Sequence, residues 1–349
     1  MMNTKRVTIY DIAKKTGVSH STVALALRNH HRISEKRRKQ IQRVAAEMGY
    51  APDPLLAALA AYRTRSLPAK LQNAIAWINH WEQPEKLRGA HREFDAYWRG
   101  AEKAARRFGY RLEEIRWEPQ FTARRFEQIL LTRAIRGVLI PPHRSSPDWG
   151  SFDWNKFSAI RFGLSVPAPD SHLVTSDQQR AVVMALKKIS SYGYQRIGMT
   201  VANMLDRNVG GNFTGGFYAA QKLHRVSGVN SLLLTDEELY RAEPAMAKER
   251  LRRWLVKTRP DAVLTTDAMV PGYIRELGYR MPKDIAVAGT GIDVPVDAGI
   301  DQHSEAIGRM AVEMLVSQIN LNERGEPVDP ARILIESRWR DGDSLPAKI

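Results

Sequence analysis

The sequence predicts an α/β protein with an all-helical N-terminal domain and a larger core of doubly wound parallel sheets. Three capped segments with helical spacing of apolar residues occupy positions 7–50. From about residue 72, short apolar runs alternate with amphipathic segments, as strands alternate with helices in βαβ units. This second part is too long for a single core, so we expect two similar subdomains.

The three N-terminal helices are predicted from their caps. Thr8 and Asp11 have the spacing of a capping box, and Gly17 is suited to end the first helix in a left-handed turn. Ser19 is expected to cap a second helix and Ser34 a third. The side chains expected to face inward are Ile9, Ile12, Ala13, Val18, Val23, Leu27, Ile41, Val44, Ala45 and Met48. Two helices across a tight turn, braced by a third, form a helix-turn-helix, whose second helix fits the DNA major groove.

Positive charge is concentrated in this N-terminal module. Residues 1–66 carry 13 Lys and Arg against four Asp and Glu, which gives +9 of the chain's net +15. A basic excess on a helix-turn-helix is the electrostatic footprint of phosphate binding. The module is therefore predicted to bind nucleic acid.

The composition excludes several classes of site. The chain has no cysteine, which rules out disulfides, thiolate metal sites and cysteine nucleophiles. The longest purely apolar run, Leu55–Ala61, is too short to span a bilayer, and no apolar leader is visible before the first helix. We therefore expect no membrane association and a cytoplasmic location.

Residues 53–71 are predicted to form a hinge helix and linker after an N-terminal domain of residues 1–52. Asp53 can cap a helix, Pro54 suits its first position, and the leucines and alanines of 55–61 favour the helical state. One interpretation is an ordinary linker helix, and the other is a helix whose leucines enter the minor groove. In the second case we expect substantial helix even without DNA.

Residues 72–349 are predicted to form the core. The first subdomain is assigned to about 72–174 and 302–330, and the second to about 175–301 and 331–349. The predicted strands are Asn73–Trp81, Arg111–Trp117, Gly137–Pro141, Ser158–Gly163, Gln195–Val201, Ser231–Thr235, Asp261–Thr265, Ile285–Gly289 and Ile333–Glu336. Ligands bind such sheets at the carboxyl ends of the strands, so a ligand is expected in the cleft between the subdomains.

No catalytic motif is found. The chain lacks a phosphate-binding loop with lysine, a nucleophile elbow and the HExxH metal motif. The glycine-rich segment 210–216 is expected to open a helix, and the His30–His31 pair has no nearby metal-binding partners. We therefore predict neither an enzyme nor a bound cofactor or metal.

The order of motifs resembles one family. The segments VTIYDIAKKTGVSHSTVALAL, ISEKRR and AAEMGYAPDP, within residues 7–59, resemble the headpiece of the lactose/galactose-repressor (LacI/GalR) family. SSYGYQRIGM, RPDAVLTTDAMVPGYIRELGYRMPKDIAVAGTG and EAIGRMAVEMLVSQI resemble its effector core, which is similar to periplasmic sugar-binding proteins. The resemblance implies a homodimeric transcriptional regulator of the repressor type. Such a regulator binds a palindromic operator and responds to a small-molecule effector, a sugar or related metabolite.

The resemblance also implies roles for individual residues of the headpiece. Positions that match base-reading residues are His20, Ser21 and Leu25. Positions that match phosphate contacts are Thr8, Tyr10, Ser19, Thr22 and Arg32. The hinge leucines placed for the minor groove are Leu56 and Leu59. Leu25 stands where the family usually has arginine, and leucine can only touch a thymine methyl group, so the operator consensus should differ.

The core departs further from the family pattern. The effector-clamping arginine falls at Phe213 and an aspartate of a late loop falls at Gly291, whereas Asp267 matches the family's cleft aspartate. These departures argue against a neutral hexose bound in the family's usual way. They predict an effector that is less anionic, or more aromatic, than an arginine would favour. The candidate effector residues are His80, Trp81, His143, Asp177, Phe213 and Asp267.

Three alternatives remain at this point. A DNA-binding regulator with a degenerate, ligand-independent core is the main one. A solute-binding protein would need an export signal and no headpiece, and an enzyme would need an acid–base or nucleophilic constellation. The C-terminal tail RWRDGDSLPAKI lacks leucine heptads, so we expect a dimer and not a tetramer.

Overall fold

The computed structural model describes residues 7–27, 33–48, 50, 73–81, 91–143, 147–236 and 243–348. The hinge segment 53–71, the His30–His31 pair and the candidate residues Arg32, Leu56 and Leu59 lie outside these ranges. The predictions made for them therefore stay predictions.

Three helices form the N-terminal domain: α1 (Ile9–Thr16), α2 (His20–Leu27) and α3 (Glu35–Glu47). They pack around five buried apolar side chains: Ile12, Val23, Ala26, Ile41 and Ala45. Gly17 ends α1 with a φ of 66°, the left-handed conformation that glycine adopts without strain. Ser34 stands before α3 as predicted, but its side chain makes no capping hydrogen bond.

The first subdomain is a six-stranded sheet in which all neighbouring strands are parallel. Its strands are β1 (Asn73–Asn79), β2 (Tyr110–Arg116), β3 (Gly137–Ile140), β4 (Ser158–Phe162), β5 (His172–Ser176) and β11 (Arg332–Ile335), in the order β11-β5-β4-β3-β1-β2. Helices α4 (Arg92–Arg107) and α11 (Ser304–Leu321) cover one face, and α5 (Ala123–Thr132) covers the other.

The second subdomain repeats this plan. Its strands are β6 (Ile197–Ala202), β7 (Val229–Thr235), β8 (Ala262–Thr265), β9 (Ala286–Gly289), β10 (Gly299–Asp301) and β12 (Arg338–Arg340), in the order β12-β10-β9-β8-β6-β7. Among the strand pairs of this sheet that the structure describes, only β10–β12 is antiparallel. One face carries α6 (Gln178–Ser191), α7 (Asn203–Asn208), α8 (Asn212–Tyr218) and a π-helical turn (Ala219–Leu223), and the other carries α9 (Pro244–Thr258) and α10 (Val270–Glu276).

The chain passes between the subdomains three times, after β5, after β10 and after β11. Because β11 pairs with β5 in the first sheet, the last crossing lies at residues 336–337 and not at residue 330, where the sequence analysis placed it. Strands β5, β10 and β12 were not predicted from the sequence. β10 and β12 have three residues each, too few for a periodic pattern.

Helices α4 and α11 approach each other at two glycines. A Cβ on Gly100 would lie 1.9 Å from the carbonyl oxygen of Glu305, and a Cβ on Gly308 would lie 2.0 Å from that of Tyr97. Neither helix could come this close with a side chain at these positions. None of the helices in the described ranges is both long and apolar enough to cross a bilayer.

Candidate functional site

The first candidate site is the exposed start of α2. The Ser19 hydroxyl accepts a hydrogen bond from the Thr22 backbone N–H at 3.1 Å and lies 2.9 Å from the Thr22 hydroxyl, so it caps the helix as predicted. His20 and Ser21 follow with exposed side chains on the first turn of α2. A helix that presents short polar side chains at its N-terminal end can read base edges in the major groove.

The start of α1 lies beside this turn. Thr8 and Asp11 form the predicted capping box: the Asp11 carboxylate accepts from the Thr8 backbone N–H at 2.8 Å, and the Asp11 N–H donates to the Thr8 hydroxyl at 3.4 Å. Tyr10, in the first turn of α1, is 64% exposed, and its ring centre lies 4.9 Å from that of His20. The structure therefore groups Tyr10 with His20 on one polar surface.

The inward face of α2 is fixed to the neighbouring helices. Val23 and Ala26 are fully buried, and Gln42 of α3 donates to the Ala26 carbonyl at 3.0 Å. Leu25 and Thr22 are partly buried. Of the predicted DNA contacts that the structure describes, Thr8, Tyr10, Ser19, His20 and Ser21 are exposed.

The second candidate site is the edge of the first sheet that faces the second subdomain. His80 and Trp81 directly follow β1, and His143 follows β3, so parallel strands bring the three together. The His80 backbone N–H donates to His143 Nε2 at 2.8 Å, so that nitrogen carries no proton. Burial lowers the pKa of His143 to about 3, with a smaller contribution from the nearby His80. His143 is therefore a neutral imidazole that orders the end of β1.

Aromatic rings extend this edge. The Trp81 ring centre lies 5.2 Å from that of Phe94 in an edge-to-face contact, and 5.8 Å from that of His91. Trp117, which follows β2, lies 6.1 Å from His80. Trp81 is partly buried, and such a ring offers a face for stacking on a sugar or a planar ligand.

Asp267 lies on the facing edge, just after β8. Its side chain is buried, and one carboxylate oxygen accepts from the Met269 backbone N–H at 2.9 Å. The Asp267 backbone N–H donates to the Thr265 hydroxyl at 3.0 Å, which fixes the turn. Asp267 and the His80–Trp81–His143 group thus stand at the carboxyl ends of strands in different sheets.

The other two effector candidates serve the fold. The Asp177 carboxylate accepts from the Arg180 backbone N–H at 2.9 Å and caps α6. Phe213 is only 3% exposed and packs in the apolar core of the second subdomain, whereas the sequence analysis placed it on the cleft wall. The first N–H groups of α8, those of Phe213 and Thr214, donate to Asp206. As predicted, the glycine-rich segment opens a helix.

Glu93 is a cleft residue that the sequence analysis missed. It lies in the first turn of α4, and its carboxylate accepts from the Ile292 backbone N–H of the second subdomain at 2.9 Å. The Ser304 hydroxyl at the start of α11 donates to the other carboxylate oxygen. Neither partner is near Glu93 in sequence, so no local pattern could have revealed the contact. Within the described residues, no group of three or more His, Asp or Glu side chains could hold a metal ion.

Family models match both parts of the chain. The model described as bacterial regulatory proteins, lacI family, matches residues 8–53, and that of a periplasmic binding protein-like domain matches residues 186–345. Among curated proteins, the transcriptional regulator CelR of Thermobifida fusca is 24% identical over 350 residues, which cover 97% of this chain and 98% of CelR.

Solved structures share the whole architecture. A CelR–cellobiose complex covers 97% of this chain with a TM-score of 0.57 and 20% identity, and all of that chain is matched. A lac repressor dimer bound to operator and an anti-inducer covers 98%, with a TM-score of 0.54 and 17% identity, and is also matched completely. A lacI-type DNA-binding domain is thus joined to a periplasmic-binding-protein-like core. The chain therefore combines a DNA-binding domain of the lacI family with a periplasmic-binding-protein-like domain, which is the domain composition of a DNA-binding transcriptional regulator.

Proposed function

We propose that this regulator represses transcription as a homodimer bound to a palindromic operator. The observation that carries the proposal is the exposed first turn of α2, where His20 and Ser21 project from a helix fixed by Ser19 and by the buried Val23. The lac repressor neighbour is a dimer on its operator, which supports the same arrangement here. A two-fold dimer presents two such helices to two half-sites.

Selection of bound DNA from random sequence tests this proposal. We expect an enriched inverted repeat, with affinity that falls steeply as salt rises. His20→Ala and Ser21→Ala should change the selected bases, whereas Arg32→Ala should weaken all sequences similarly. Lys39→Ala is a matched control, because the exposed Lys39 pairs with Glu35 within α3. Recovery of no half-site repeat would contradict the proposal.

For the core, we propose a small-molecule effector that binds between the His80–Trp81–His143 edge and Asp267. Trp81 offers a ring for stacking, and the Asp267 carboxylate can accept hydrogen bonds from hydroxyl groups. The carboxylate of Asp267 disfavours an anionic ligand in the same space. A neutral, hydroxyl-rich compound fits best, and the bound cellobiose of the CelR structure belongs to this class.

Thermal-shift screening of sugars, sugar acids and nucleosides tests the effector proposal. We expect a neutral sugar or nucleoside to raise the melting temperature of the full chain, and Trp81→Ala or Asp267→Ala to abolish that shift. Asp177→Ala is the matched control, because the Asp177 carboxylate is engaged in capping α6. Sugar acids should give no shift.

A second candidate is a regulator with a ligand-independent core. The burial of Phe213 and the Glu93 contact at Gly291 favour it, because Phe213 lies in the core and gives the cleft no polar group, and Glu93 fills the space beside Gly291. This alternative predicts no thermal shift with any compound and operator affinity that no metabolite changes.

A further inference from the structure

Glu93 joins three parts of the fold. Its carboxylate accepts from the Ile292 backbone N–H at 2.9 Å, and its own backbone N–H donates to the Asp293 carboxylate at 3.2 Å. The Ser304 hydroxyl donates to its second oxygen. α4 belongs to the first subdomain, residues 292 and 293 to the second, and Ser304 to the chain crossing between them. A single side chain therefore connects both walls of the cleft with the crossing.

The contact requires a glycine at position 291. A Cβ on Gly291 would lie 2.7 Å from the Glu93 carboxylate oxygen and 3.2 Å from Gln302 Nε2. Both atoms are at the ends of flexible side chains, so a methyl group there would displace Glu93 without disturbing the backbone. The missing side chain at 291 is what admits a carboxylate from the opposite subdomain.

Several ionisable groups face this carboxylate. Burial raises the pKa of Glu93, and the nearby carboxylates of Asp293 and Asp301 raise it further, while the hydrogen bonds from Ser304 and Ile292 lower it. From α4 itself, the partly buried Tyr97 lies nearby, and desolvation raises the pKa of its hydroxyl. At the start of α4, His91 Nδ1 lies 3.6 Å from the Asp293 carboxylate.

We propose that Glu93 is a positioning residue that holds the cleft closed by fixing the 291–293 loop to α4. It acts through the loop, which carries the second wall of the cleft, and it sets the closed state without touching an effector. Closure itself does not depend on the proposed function; only its consequence for effector affinity rests on that function.

Spin labels on two introduced cysteines measure closure directly, because the chain has no cysteine of its own. Arg116→Cys at the end of β2 and Arg207→Cys on α7, the helix that follows β6, place exposed labels just after the carboxyl ends of strands in the two subdomains. Without any ligand, we expect Glu93→Ala and Gly291→Ala to shift the distance distribution to longer values. Glu93→Gln should keep the short distance, since an amide oxygen can still accept from Ile292.

Two controls separate closure from general damage. Glu102→Ala removes another glutamate of α4, one that pairs with Arg106 on the surface. Gly272→Ala adds a methyl group on α10, where no atom of the described residues, apart from the neighbouring backbone of the helix itself, lies within 4 Å of the new Cβ. Both should leave the distance unchanged. If Glu93→Ala fails to fold, Gly291→Ala and Glu93→Gln still carry the test. A short distance in Gly291→Ala, with Glu93 displaced, would overturn the proposal.

The pH dependence of the distance between the labels distinguishes this proposal from a purely structural role, which would not make that distance depend on pH. Because the pKa of Glu93 is raised in the closed state, closure binds a proton. The contribution of Glu93 to the stability of the closed state is greatest below the ordinary carboxyl pKa, and it is lost as pH rises through the raised pKa of Glu93. The short distance should therefore gain population as pH falls, and Glu93→Gln should abolish this dependence. Adding His91→Gln to the wild-type chain and to the Glu93→Gln variant removes the contribution of the His91–Asp293 pair. An unchanged pH profile in Glu93→Gln would contradict the inference.

Effector binding provides the link to the proposed function. If cellobiose or another screened sugar binds, Glu93→Ala should weaken its binding by roughly tenfold, which is about the effect of losing one hydrogen bond. If no compound binds the wild-type chain, the effector proposal fails. The distance measurements then still decide whether Glu93 closes the cleft.

Discussion

Replacing Gly308 by alanine should strongly destabilise the first subdomain. The new Cβ would lie 2.0 Å from the carbonyl oxygen of Tyr97, 2.9 Å from its carbon and 3.0 Å from the backbone nitrogen of Ala101. All three obstacles are backbone atoms of α4, so no side chain can move aside. α4 and α11 must therefore separate by about 1 Å or more. Overpacking of this kind lowers the free energy of unfolding by about 1–3 kcal/mol, and we expect a value at the upper end of that range.

Amide exchange in α4 and α11 measures this effect locally, which matters because the chain holds several separate cores. Gly308→Ala should accelerate the slowest amides of both helices by the factor that corresponds to about 3 kcal/mol. Gly272→Ala is the matched control, and alanine should stabilise that open helical position by up to about 1 kcal/mol. Wild-type exchange in the α4 and α11 amides of Gly308→Ala would refute the packing argument.

Three further predictions follow from single contacts. Thr8→Ala should destabilise the N-terminal domain by about 1 kcal/mol by removing half of the capping box, whereas Thr8→Ser should not, as amide exchange in α1 would show. His143 should stay neutral between about pH 5 and 8, because its pKa lies at about 3, and ¹⁵N NMR should show no titration of its ring there. Light scattering should give a dimer, since residues 338–348 fold onto their own second subdomain, where Leu345 is fully buried; a tetramer at micromolar concentration would contradict this.

The N-terminal domain was predictable because its signals are local. The Thr8–Asp11 box, the left-handed Gly17 and the Ser19 cap each act within three or four residues, and the structure confirms all three. Ser34 has the right residue type and position but makes no capping bond. Residue type limits what a cap can do, and the surrounding geometry decides whether the cap forms.

The core was predictable where strands are long and apolar. β5 was missed, and so were β10 and β12, which are held by pairing with strands far away in sequence. The same limit applies to the cleft. Alignment with the family pattern placed Phe213 at the position of the effector-clamping arginine. Only the packing of the folded chain shows that the Phe213 ring enters the core. The partners of Glu93 are 199 and 211 residues distant, so nothing near Glu93 signals its role.

The two departures from the family pattern have a common physical consequence. Gly291 stands where the family pattern has an aspartate, and Glu93 of the other subdomain fills the space of that side chain. Phe213 stands where the pattern has an arginine, and its apolar ring lies in the core. In both places the polar groups left behind are satisfied within the protein, Ile292 by Glu93 and the start of α8 by Asp206. An effector cannot gain those hydrogen bonds without breaking existing ones. We therefore expect effector recognition to depend on Trp81 and Asp267 and not on position 213, and Trp81→Ala to reduce affinity more than Phe213→Ala does once stability is matched.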